Sequence, residues 1–194
     1  MAAKKVDFGP LQHLLGVWKG DKGMDVAPAK PTGKAATAKN LVKDQTPFSD
    51  IITIEPVGDV TNAKEQTLVV VRYHQVVSRK VDKTVFHDEI GYWIWNPANK
   101  TVMQSLLIPR AVGLLAGGKV TEAKGSVTFK VSAAADNKDW GIVQSPFLQK
   151  KAKTERFVHT VTVSGKTMTY AETTTLNIYG KRFQHTDGNT LTRV

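Results

Sequence analysis

The chain has 194 residues, 41% of them apolar, no cysteine, and a formal charge of +10 with a pI near 9.7. That length and apolar share suit one domain with its own core (1–194) and exclude a disordered chain. Without cysteine, disulfides, thiolate metal sites and a cysteine nucleophile are excluded.

The N-terminal segment MAAKKVDFGPLQHLLGVWKG has no uninterrupted apolar core of signal-peptide length, and no stretch approaches a membrane span, so a cytoplasmic protein is expected. Leu11, Leu14, Leu15 and Trp18 recur at helical spacing and predict a short N-terminal helix entering a strand. Residues 24–46, rich in Ala, Lys, Pro and Gly, predict a long mobile loop or insertion. From Phe48 the chain reads as strand after strand. Residues 51–54 and 68–73 are rich in branched side chains; Pro56–Asp59 and the basic stretch 78–83 supply turns after them. Residues 91–95 run into the turn Asn96-Pro97-Ala98-Asn99, and 101–108 return. Further strands fit 119–122, 126–132, 154–163, 167–179 and 190–194, with turn chemistry at Asp136-Asn137, Ser164-Gly165 and Asp187-Gly188-Asn189.

Short strands at regular spacing joined by tight turns indicate a meander, and the lack of alternating helices argues against a parallel sheet. Segments such as Thr167–Tyr170 alternate apolar and polar residues, as a wall with a wet exterior requires. The expected fold is all-β: a closed antiparallel up-and-down barrel of about ten strands with a short N-terminal helix closing one end, lipocalin- or fatty-acid-binding-protein-like. An open sandwich is the alternative. A barrel of this size leaves room for one small-molecule ligand.

The lysines are mostly scattered, and the one dense basic cluster is Lys150, Lys151, Lys153 and Arg156. No RNP-like or helix-turn-helix pattern accompanies it, so no specific nucleic-acid partner is expected. A solvated basic surface, or a ligand carrying carboxylates, accounts for the charge.

Gly16-Val17-Trp18-Lys19-Gly20, with a further glycine at Gly23, resembles the G-x-W-x-G-x-G signature of the nitrobindin family. The resemblance continues in Leu68…Tyr73-His74-Gln75, in His87-Asp88-Glu89-Ile90-Gly91-Tyr92, and in 104–112, an apolar strand followed by a proline turn. It ends in Met168-Thr169-Tyr170 and His185…Leu191-Thr192-Arg193. It departs at the last glycine, displaced to Gly23, and at 24–46. This resemblance implies a fatty-acid-binding-protein-like barrel that binds haem b, with His185 as the axial iron ligand. Gly16, Trp18 and Gly20 would close the barrel base, and Leu106, Leu107, Ile108 and Val112 would line an apolar distal side. It further implies nitric oxide binding and, if the protein is an enzyme, haem-dependent isomerisation of peroxynitrite to nitrate.

Among the five histidines, His159 is the rival ligand, because it shares a strand face with Phe157, Val161 and Val163 and so points inward. By parity His74 faces solvent; His87 orders its hairpin through Asp88 or Glu89, and His13 belongs to the N-terminal helix. No G-x-S-x-G elbow, H-E-x-x-H, P-loop or G-x-G-x-x-G after a strand is present, so any chemistry belongs to a cofactor and none to an independent catalytic residue. The second function in view is a non-catalytic carrier of fatty acid or another apolar anion, with Arg72 or Arg110 meeting its carboxylate. A homodimer is left open.

Overall fold

The computed structural model of the chain describes residues 6–194 except 32, 36 and 38. The strands, in chain order, are β1 (Gly16–Ala29), β2 (Val42–Asn62), β3 (Gln66–Arg79), β4 (Val85–Asn96), β5 (Thr101–Ile108), β6 (Val112–Ala123), β7 (Ser126–Ala134), β8 (Ile142–Gln144), β9 (Ala152–Ser164), β10 (Thr167–Ile178) and β11 (Lys181–Arg193). All pairings are antiparallel, and β5 with β6 and β1 with β11 bring the ladder back to its start. Ten strands therefore close a barrel, as expected, with β8 left over. β8 continues the β6 ladder at residues 112–114, where β7, paired to 117–123, does not reach. Closure pairs the backbone groups that an open sheet would leave free at its edges. No helix among the described residues is long and apolar enough to cross a membrane.

One end of the barrel is plugged. A short 3-10 helix, Gly9–His13, lays Leu11 against the core, and Leu14 follows it inward. The helical spacing noted above lasts only this one turn, because Gly16, at φ +121°, swings the chain into β1. Trp18 is therefore a strand residue, fully buried in the plug. Its Nε1 donates to the Leu14 carbonyl at 2.7 Å, and the Arg193 guanidinium lies 4.4 Å over its ring.

Sequence and structure part at three places. Across 24–46, β1 continues to Ala29 and pairs residue by residue with β2 from Val42, so outside strands there are only residues 30–41. Positions 32, 36 and 38 of that segment lie outside the described residues. Its composition is poor in β-formers; cross-strand pairing, which local propensity does not report, holds the hairpin. Pro56–Asp59 is a bulge in β2, marked by a register shift between Pro56 and Gly58, and the chain turns after Asn62. Asp187-Gly188-Asn189 lies inside β11, the turn being at residues 179–180. Gly188 is there for space: a Cβ would meet the Tyr170 carbonyl oxygen at 2.7 Å.

A six-residue helix, α1 (Pro146–Lys151), stands at the other end of the barrel, with the Ser145 side chain accepting from the Leu148 N–H at 3.3 Å. Ser145→Ala should cost about 1 kcal/mol in urea unfolding, the usual loss for an N-cap.

Candidate functional site

At the end opposite the Trp18 plug, β11 directs Phe183, His185, Asp187, Asn189 and Leu191 inward by strict alternation. His185 is thus mid-strand on the luminal wall, and does not precede a turn as its sequence neighbours suggest. Its side chain keeps 30% of its surface exposed, and its Nε2 lies 2.6 Å from Asp25 Oδ1. Asp25 reaches this position through a bulge in β1. The register shifts between Gly20 and Gly23, so the displaced glycine again faces inward, where a Cβ would meet the Phe48 ring at 2.1 Å. The extra residue relative to the G-x-W-x-G-x-G pattern is absorbed there, and Asp25 follows with inward parity.

Titratable groups from four strands meet in this lumen. Asp25 lies opposite Asp187 across β1 and β11, and Asp187 lies opposite Glu172 across β11 and β10. His87 and Glu89 come from β4, with His87 Nε2 3.5 Å from Glu89 Oε2. Burial pushes the Asp187 carboxyl up to about 7; His185 and His87 pull against it, while Asp25 and Glu89 add to it. Burial also holds the Glu172 carboxyl well above the usual range, helped by the charges of Asp187 and Glu89. The histidines show the reverse balance. Burial opposes their protonated forms, but the Asp25 contact raises His185 and the Glu89 contact raises His87.

Below this cluster the interior is polar but closed. The Tyr73 hydroxyl donates to Glu89 at 2.5 Å and accepts from Gln104 Nε2 at 2.8 Å; Gln104 Oε1 meets His159 Nδ1 at 2.9 Å. A neighbouring network joins Asp50 to Gln75, Tyr170 and Asn189. His159 does point inward, as its parity predicts, and burial lowers its pKa to about 4. Its Nε2 has no partner among the described residues. The cavity beside it holds only about 20 Å³, between Trp93, Tyr170, Gln75 and Gln104. Cofactor sites span roughly 300 Å³ or more, so His159 is packed in a space that takes at most one water.

The apolar side of the lumen is narrower than the sequence suggests. Leu106 is inward and buried, and Ile108 and Val112 are half-buried against the core. Leu107 is 62% exposed on the outer wall, because neighbours on a strand face opposite ways. There, with Ile90, Tyr92, Leu115 and Val143, it lines an external cleft of about 1260 Å³. His87, Glu89 and Glu172 share the lumen with these apolar residues. The arginines offered to a carrier do not enter it: Arg72 pairs with Glu55 outside at 2.9 Å, and exposed Arg110 donates to the Phe86 carbonyl at 3.0 Å. His74 faces solvent against Asp88 at 3.1 Å, and His13 is exposed.

Sequence reasoning missed Asp25, Glu172 and Asp187. Glu172 and Asp187 share parity with Tyr170 and His185, a signal that could have placed them; Asp25 sat in a stretch read as loop.

A family description, "THAP4-like, heme-binding beta-barrel domain", matches residues 7–193. The crystal structure of Rv2717c from M. tuberculosis superposes with a TM-score of 0.67 at 16% identity, covering 98% of this chain and 99% of that one. A protein of Rhodococcus jostii (strain RHA1) named "Acetaldehyde dehydrogenase 6" is 28% identical over 130 residues, 67% of this chain; the match spans only 40% of that protein's length. Haem, implied by the family, requires an imidazole that is oriented by a partner and keeps a nitrogen for iron. The donor set fits: Asp25 clasps Nε2, and Nδ1 makes no hydrogen bond among the described residues. Iron at Nε2 would need Asp25 to let go. With matching motifs from Gly16 to Arg193, the predicted closed barrel and a family description that spans 7–193, the chain belongs to the THAP4-like, heme-binding β-barrel domain family, the nitrobindins.

Proposed function

We propose that this barrel holds haem b at its open end, with His185 as the axial ligand. The observation that carries this reading is the inward, carboxylate-clasped imidazole of His185, reachable from solvent. Haem b held there would supply nitric oxide binding in the ferrous state and isomerisation of peroxynitrite to nitrate in the ferric state. Asp25 orients the imidazole and raises its basicity, as carboxylates behind ligating histidines do. Leu106, Ile108 and Val112, apolar and turned to the core, would help to shield a bound haem from water. The net charge of +10 steers a small anion such as peroxynitrite toward the protein. Cytoplasmic placement and a homodimer belong to the same reading.

The anion-carrier alternative is weaker, because no arginine enters the lumen and its walls carry carboxylates. Nor does the dehydrogenase name of the partial relative suggest a dehydrogenase here, since no G-x-G-x-x-G follows a strand. The test is kinetic. Hemin-loaded protein should accelerate peroxynitrite decay toward nitrate, with a rate that falls as ionic strength rises. The haem-free protein and His185→Ala should not. Loaded wild type that accelerates nothing, and whose reduced form leaves nitric oxide unbound, would remove this function.

A further inference from the structure

Three adjacent strands place carboxylates side by side inside a protein whose net charge is strongly positive. Asp25 faces Asp187, and Asp187 faces Glu172, an arrangement of like groups that destabilises a sheet unless something offsets it. Among the described residues the offset is thin. Asp25 pairs with His185 and Glu89 with His87, while Glu172 and Asp187 make no ion pair. Glu89, only 3% exposed, spends Oε1 on Tyr73; Oε2 has His87 at 3.5 Å, too far for a strong hydrogen bond. The enclosed wall thus has more acceptor oxygens than donors.

One atom each from Asp25, His185 and Asp187 already lie within 4.8 Å of one another. Zinc bonds to nitrogen and carboxylate oxygen of about 2.0–2.2 Å place ligand atoms roughly 3–4.4 Å apart, so small side-chain movements complete the set. We infer that Asp25, His185 and Asp187 form a site for a divalent transition-metal cation in the haem-free barrel. Two carboxylates and one imidazole suit zinc, manganese or ferrous iron better than magnesium, which prefers oxygen ligands alone. Because His185 also carries the proposed haem site, cation and haem exclude each other; that consequence alone rests on the haem reading.

Calorimetric titration of zinc chloride into the haem-free full chain tests the site. One zinc ion per chain is expected, with at least about tenfold weaker binding in Asp187→Asn, Asp25→Asn and His185→Ala. His74→Ala, which removes the exposed histidine–carboxylate pair, should leave the affinity unchanged, and magnesium should bind more than tenfold more weakly than zinc. The asparagine variants are near-isosteric, and thermal melts check that they fold. No saturable zinc binding, or binding lost in His74→Ala and kept in both asparagine variants, overturns the site. Hemin uptake is measured separately: hemin that binds normally to a protein without zinc affinity leaves the haem reading standing and removes the cation site. Zinc that binds as described without slowing hemin uptake keeps the cation site and takes His185 out of the haem reading.

Discussion

In His159→Gln, the stability deficit relative to wild type should shrink by about 3 kcal/mol as pH falls from neutral to 4. Burial lowers the folded-state pKa of His159 from 6.5 to about 4. Between those values the unfolded chain binds a proton at this residue and the folded chain does not, so wild-type stability falls as pH falls, and the loss is complete below the folded value. A difference of some 2.5 units corresponds to about 3 kcal/mol. Asp187 and Glu172 act in the opposite direction over part of the same range, because burial raises their carboxyls and the folded state binds the extra protons. Both proteins carry those carboxyls, so the difference between paired urea titrations isolates His159. A pH-independent difference would mean that the ring is hydrated or protonated in the folded barrel.

Trp18→Ala should destabilise the protein by about 4 kcal/mol, within the range for emptying a buried aromatic site. Trp18 is fully buried, bonds the Leu14 carbonyl and lies under Arg193, whose Nη2 donates to the His13 carbonyl at 2.6 Å. Arg193 Nε is buried with no hydrogen-bond partner among the described residues, so removing the indole also takes away the ring that faces this cation. Trp18→Phe keeps much of the packing and should cost about half as much, measured by urea unfolding. A cost near 1 kcal/mol for the alanine variant would show that the plug collapses around the gap.

The fold was readable because its information is local. Alternation along β9 and β10, turn residues at 96–99 and 164–165, and branched residues in β3 all act within a few positions, and together they specify an antiparallel meander. Closure and strand extension are long-range. Nothing near Ala29 or Val42 announces that they pair, so local composition predicts a loop where the β1–β2 hairpin stands. Glycine misled for the same reason: Gly188 looks like a turn residue until Tyr170 on the neighbouring strand is seen to fill the space of its Cβ. Among the candidate site residues, His185 could be found from its place before Leu191-Thr192-Arg193, whereas its partner Asp25 is 160 positions away. Apolar character groups Leu106 with Leu107, and the pleat separates them.

The claim that the open end of the barrel is a haem site built on His185 is tested most directly by titrating hemin into wild type, His185→Ala and His159→Gln in parallel and following the Soret band. Wild type and His159→Gln should saturate at one hemin per chain with the same band, and His185→Ala should lose the band or shift it strongly while remaining folded. A Soret band that survives unchanged in His185→Ala would contradict the account.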